Sequence, residues 1–170
     1  MKKTHKLQYT FKSDVLFKML FVKNHNLLKR LVSTLLDIPF DSIEDFVITN
    51  TEISPEEIGK KFCRLDINMT VNEVLINIEI QVADEGNYRE RSLYNWSKIF
   101  VSSLGTGENY KDTPKVITIN ILDFILFDDT KEIHSEYRTL KVTRNTLLTD
   151  KMSVHFFELA KLSGIENLNL

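Results

Sequence analysis

Residues 62–82 read FCRLDINMTVNEVLINIEIQV. Cys63, Leu65, Ile67 and Met69 alternate with Arg64, Asp66 and Asn68; further on, Ile76, Ile78, Ile80 and Val82 alternate with Asn77, Glu79 and Gln81. A period of two is that of a strand with one apolar and one polar face. Asn72 and Glu73 form a short polar break between the runs, so the stretch predicts an antiparallel hairpin. A turn centred there sets three polar pairs side by side: Asn68 with Asn77, Asp66 with Glu79, and Arg64 with Gln81. Opposed residues have Cβ atoms about 4.5 to 5.5 Å apart, and like charges in that position destabilise a hairpin. Two readings follow for Asp66 and Glu79. A divalent cation between them converts repulsion into ligation; alternatively the polar face is simply the wet side of an antiparallel sheet, with Arg64 close by to neutralise one acid.

Outward from the hairpin, Ser13 and Asp14 precede Phe17, Leu20 and Phe21 like a cap before a helical stripe. Leu28, Leu31, Val32 and Leu35 resume helical spacing after an interruption near Asn24–Asn26, giving two short helices or one broken one. Pro39 closes that region, and FVITNTEIS (46–54) has the β-branched content of a strand. Beyond Gln81 a polar stretch leads to a helix from about Tyr88 to Leu104. Its spacing gathers Leu93, Trp96, Phe100 and Leu104 on one side and Arg91, Asn95, Lys98 and Ser102 on the other. The polar stripe suits contacts to phosphates and equally suits a solvated helix face. KVITINILDFIL (115–126) is apolar enough for a buried central strand, and a strand near EYRTLKV and a last segment, MSVHFFELAKL, follow.

The chain has 170 residues, 42% of them hydrophobic and 27% charged, which is the balance of a globular protein with one core. No apolar run approaches the roughly 20 residues of a membrane helix. MKKTHKLQYTFKSD lacks the apolar segment of a secretory signal. Cys63 is the only cysteine, so no internal disulfide forms, in keeping with a cytoplasmic location. A formal net charge of −2 excludes a protein that coats nucleic acid over its whole surface but leaves room for a local basic groove. With 5 Gly, 3 Pro and no linker-like tract, residues 1–170 read as a single domain. His5, His25, His134 and His155 have no metal-ligand spacing and read as surface or satisfied histidines. Cys63 falls on an apolar strand face and reads as core, as do Phe124, Phe127, Phe156 and Phe157.

The order helix, strand, strand, strand, helix, strand, with an acid on each of the second and third strands, resembles the PD-(D/E)XK nuclease superfamily. Within it, the chain resembles the recombination-promoting nuclease and transposase family. SDVLFKMLF (13–21), RLDINM (64–69), LINIEIQ (75–81), YRERSLYNWSKIF (88–100), GENYKDTPKVITINIL (107–122) and HFFELAKL (155–162) carry the likeness, in the family's order, over nearly the whole chain. It implies a mixed α/β, restriction-endonuclease-like core: a central mixed sheet flanked by helices. It implies a Mg²⁺-dependent DNA endonuclease, with Mn²⁺ able to substitute, linked to recombination or mobile elements. By position, Asp66 and Glu79 become the metal-binding acids together with the main-chain carbonyl of Ile80. Gln81 takes the place of the superfamily's lysine; it can orient a water but cannot carry charge. Arg91, Asn95 and Lys98 on the following helix, and Lys18 in the first, become the DNA contacts. Staggered cutting would call for a homodimer. Family members often run longer at the C-terminus, so the resemblance implies a shortened tail. The alternative is a nuclease-fold module that binds DNA or a protein without cutting; a structural oligomer would need Asp66 and Glu79 to face solvent independently.

Overall fold

The computed structural model describes residues 14–49 and 67–164. Helices α1 (Asp14–Lys23) and α2 (His25–Leu35) are broken apart at Asn24, whose non-helical backbone lets its side chain accept a hydrogen bond from Leu27 N at 3.2 Å. Asp37 ends the second helix in the left-handed region (φ 52), with Ile38 N bonded to Ser33 O and Asp37 N to Thr34 O. These are the two bonds of a Schellman motif, here with aspartate where glycine is usual. Ser13 and residues 50–54 of the strand expected over 46–54 lie outside the described residues; within them that strand is β1, Phe46–Ile48.

The hairpin forms as its alternation predicts. Strands β2 (Ile67–Val71) and β3 (Val74–Gln81) pair antiparallel, with Asn68 opposite Asn77 and Ile67 opposite Ile78. Asn72 and Glu73 both have positive φ, 46 and 66, the sign pattern of the tight turn whose twist matches the strands. Asn72 Oδ1 accepts from Glu44 N and Asp45 N, and its Nδ2 donates to Ser42 O, which ties the turn to the segment before β1.

Helix α3 (Tyr88–Ser102) crosses over to β4 (Val116–Leu122), parallel to β3 and buried at all seven positions. Strand β6 (Met152–Glu158) lies parallel to β4, and β5 (His134–Tyr137) pairs antiparallel with β6 at the edge. The six strands form one sheet in the order β1-β2-β3-β4-β6-β5. A buried strand flanked by parallel neighbours needs cover on both faces. Phe17, Leu28 and Val32 supply it on one side, over Ile76, Ile78, Ile117, Ile119 and Ile121. On the other side, Tyr88 and Trp96 join Phe127, Leu122, Val154 and Phe156. The molecule is therefore a mixed α/β fold with a six-stranded mixed sheet flanked by helices, as the resemblance implies. Among the described residues no helix is long and apolar enough to cross a membrane.

One expectation changes. Leu93 does not pack on the sheet: it is 51% exposed, and the buried side of α3 is marked by Tyr88 and Ser92, with Asn95 and Trp96 partly buried beside them. The sheet face beneath is itself polar, carrying Asn77, Glu79, Thr118 and Asn120, so the helix turns polar groups toward it. His134 and His155 are an exposed and a hydrogen-bonded histidine, as read from the sequence, and the β5–β6 pairing brings their rings together, 5.2 Å between centroids.

Candidate active site

Glu79 sits near the carboxyl end of β3, opposite Asn120 of β4, on the face covered by α3. It is 5% exposed, so its carboxylate needs donors. Those identified come from one helix. Asn95 Nδ2 donates to Oε1 in a short contact, the Tyr88 hydroxyl lies 3.3 Å from Oε2, and Arg91 Nη2 lies 3.8 Å from Oε2. Tyr88 and Asn95 lie seven positions apart, two helical turns, and so project on one side; Arg91 adjoins them. The Tyr88 hydroxyl also lies 3.1 Å from Asn120 Oδ1, and Asn120 Nδ2 donates to His155 O at 3.0 Å. A hydroxyl has one proton, so Glu79 and Asn120 share it.

Arg91 gathers the remaining oxygens. Its Nη2 donates to Gln81 Oε1 at 3.0 Å, its Nη1 lies 3.6 Å from Glu85 Oε2, and its guanidinium stacks 5.0 Å from the Tyr88 ring centre. Gln81 Nε2 is committed to Ala83 O at 3.0 Å. Three buried side-chain atoms among the described residues have no hydrogen-bond partner: Arg91 Nε, Asn77 Oδ1 and Thr118 Oγ1. Asn77 and Thr118 are register partners one row from Glu79 and Asn120, so the polar seam continues along the sheet. The side-chain donors that face this seam from β3 and β4 are oxygens of carboxylate, amide and hydroxyl type, with no sulfur or imidazole. That is the donor chemistry of a hard cation such as Mg²⁺.

Of the residues singled out from sequence, Glu79, Gln81, Arg91 and Asn95 lie together. Ile80 stands between Glu79 and Gln81, with its side chain in the core on the other face. Lys98 lies exposed on α3. Lys18 falls on α1 with its side chain outside the described part, and Asp66, Arg64 and Cys63 lie outside the described residues. The observed register ends at Ile67 opposite Ile78, one position short of the pair Asp66 and Glu79. Among the described residues no three His, Cys, Asp or Glu side chains converge on a metal position.

Sequence reasoning missed Tyr88 and Asn120. The signal for Asn120 was present: Thr118 and Asn120 alternate within the apolar run VITINIL and mark a polar face. Tyr88 gave none, since a tyrosine at a helix start reads as core. A buried acid is not by itself a site, as Glu158 demonstrates. It is fully buried, accepts from Leu126 N and Phe127 N, and pairs with Lys161 at 2.6 Å, a set of bonds that holds loops together. Glu79 differs in being held by the side chains of one helix beside an amide, a guanidinium and unpaired oxygens.

A family model described as a PD-(D/E)XK nuclease family transposase matches residues 11–169. No curated protein and no solved structure matches the chain. With the match spanning nearly the whole length, and a buried strand glutamate beside Gln81 under the helix that follows, the chain belongs to the PD-(D/E)XK nuclease family transposases.

Proposed function

We propose that the chain is a Mg²⁺-dependent DNA endonuclease that hydrolyses phosphodiester bonds in recombination or in the movement of genetic elements. The observation that carries this reading is Glu79: a nearly fully buried carboxylate on a central strand, held by Asn95, Tyr88 and Arg91 from one helix and adjoining Gln81. Asp66, Glu79 and the main-chain carbonyl of Ile80 would hold the metal ion, with Mn²⁺ able to substitute. When bound, the ion lowers the pKa of a coordinated water and neutralises charge developing on the phosphate oxygens.

The chain's own residues do the rest. Asn95 and Tyr88 fix the Glu79 rotamer, so its oxygens are set before substrate arrives. Gln81, an amide, orients the attacking water by hydrogen bonding. Arg91 brings a guanidinium, five donors in a fork suited to a phosphate, to the edge of the same seam. Lys98 and Lys18 would grip the DNA backbone, which adds affinity and salt dependence without sequence preference. Two copies would be needed to cut both strands in a staggered way.

A second reading, a nuclease-fold module that binds DNA or a protein partner without cutting, has one observation in its favour. Arg91 already places a positive charge among the oxygens of Glu79, Gln81 and Glu85. Conversion of supercoiled plasmid to nicked and linear forms separates the two. The nuclease reading expects cleavage with Mg²⁺ or Mn²⁺, none with EDTA, and at least a hundredfold loss in Glu79→Ala. Absence of cleavage by folded protein at low salt with either metal, together with retained DNA binding, would establish the second reading.

A further inference from the structure

Among the described residues β5 is the outermost strand of the sheet, with β6 on its inner side only. Ile133 O accepts from Glu158 N at 2.8 Å, one step before the pair His134 and Phe157. In an antiparallel ladder the main-chain groups of alternate residues point the same way. Those of Ile133, Ser135 and Tyr137 therefore face β6, and those of His134 and Glu136 point out of the sheet. Both residues are exposed, so the edge offers N–H and C=O groups to a further strand.

The charges on the two sides of Ser135 differ in sign. Residues 128–132, DDTKE, carry three acids and one lysine, whereas residues 138–144, RTLKVTR, carry three cations and no acid. All of these charged side chains belong to exposed residues. Asp128, Asp129, Glu132, Lys141 and Arg144 enter no ion pair among the described residues. Arg138 does, with its Nε 2.6 Å from Glu136 Oε1. Lys161 Nζ reaches the main-chain oxygen of Glu132, while its charge is met by Glu158. Beyond Arg138 the chain forms a hydrogen-bonded arm whose residues 140–148 are all exposed.

That order of charges fits a second copy of the same edge. An antiparallel copy related by a two-fold axis at Ser135 sets His134 opposite Glu136, where each pair exchanges both main-chain bonds. Glu132 then faces Arg138, and Asp129 and Lys141, equally far from Ser135 on its two sides, fall alongside one another. On the other face Ile133 meets Tyr137, which is 46% exposed. Each Glu136 keeps its own Arg138 and gains His134 of the second copy. The alternatives are worse. A slip of one residue turns main-chain groups away from each other, and a slip of two sets Glu136 against Glu136 or His134 against His134. A parallel copy places acids beside acids.

We propose that β5 is a homodimer edge, pairing antiparallel with β5 of a second copy so that one sheet runs through both. It names the surface for the two copies that staggered cutting needs. The dimer is read without metal or DNA, so the proposal can fail while the nuclease reading stands.

The test is sedimentation equilibrium of the full chain over a range of protein concentrations, with EDTA present. The mass is expected to rise from 19.9 kDa toward twice that value, and to do so less readily in high salt. Lys141→Glu and Asp129→Lys, both at exposed positions, are each expected to weaken the dimer about tenfold, and the two together to restore it. His134→Pro removes an outward N–H without touching the ladder to β6, and is expected to leave a monomer whose amide spectrum shows the fold retained. A monomer at every concentration of the parent would overturn the proposal. So would an unchanged dimer in folded His134→Pro, or a combined charge swap that dimerises no better than its single parts.

Discussion

Arg91 and Glu79 have side chains 10% and 6% exposed, so neither charge is free to find water when the other is removed. Breaking such a pair costs about 3 to 5 kcal/mol where the partners are in tight contact. Here the separation is 3.8 Å, and Asn95 and Tyr88 remain on the carboxylate, so Arg91→Met is expected to lose about 2 kcal/mol in urea unfolding. Glu79→Gln in the same chain should restore most of that loss by removing the stranded charge. Equal losses in the single and double variants would mean that Arg91 stabilises through its packing on Tyr88 instead. His155 makes a pH prediction of its own. Burial holds its imidazole down, from 6.5 to about 4, against the opposing pull of Glu136. Between those two values the unfolded chain binds a proton that the folded chain refuses. Stability is therefore complete above pH 6.5 and falls as pH drops toward 4, by about 3 kcal/mol at most. Unfolding of His155→Gln followed across that range should show a flatter pH profile than the parent; an unchanged slope would assign the acid sensitivity to carboxylates.

The β2–β3 turn shows why this element was legible in the sequence. Two residues between alternating runs admit few geometries, and Asn tolerates the positive φ that the tight turn demands, so the register followed from the location of the break. Asn72→Ala is expected to cost about 2 kcal/mol, combining left-handed strain with loss of the bonds to Glu44 N, Asp45 N and Ser42 O. Asn72→Gly relieves the strain and loses only the bonds, so thermal unfolding should place it between Ala and the parent. Helix α3 was less legible because its periodicity gives two candidate faces and only the sheet beneath decides between them. An apolar sheet would have drawn Leu93 inward; the row of Asn77, Glu79, Thr118 and Asn120 draws Asn95 and Arg91 instead. The parallel register that sets Asn120 opposite Glu79 spans a long crossover, as does the β5–β6 pairing that joins His134 to His155 across a loop. No local pattern encodes either distance. Glu79 and Gln81 were readable because they break an apolar strand; Tyr88 was not, because nothing in a helix-start tyrosine announces a carboxylate partner.

On the scale of the whole molecule, Glu79 and Ile80 belong to β3, which is hydrogen-bonded to β2 on one side and β4 on the other. An ion held there binds the folded sheet and not the unfolded chain, so its binding free energy adds to global stability. At a free Mg²⁺ concentration a hundred times its Kd the gain is about 2.7 kcal/mol. For a chain of this size one kcal/mol moves the midpoint by about 2 to 4 °C, so Tm should rise by roughly 5 to 10 °C. A general salt effect on acidic surface charge would produce little, since the formal net charge is only −2. Scanning calorimetry with and without Mg²⁺ is expected to show the rise in the parent and in Lys98→Ala, whose lysine lies exposed on α3, and to lose it in Glu79→Gln and Asp66→Asn. Asp66→Asn removes repulsion as well as ligation and should melt at or above the metal-free parent, whereas Glu79→Gln leaves Arg91 without its buried partner and should melt below it; both should respond to Mg²⁺ hardly at all. A shift of equal size in all four proteins would place the bound ion away from Glu79 and remove the metal from the mechanism.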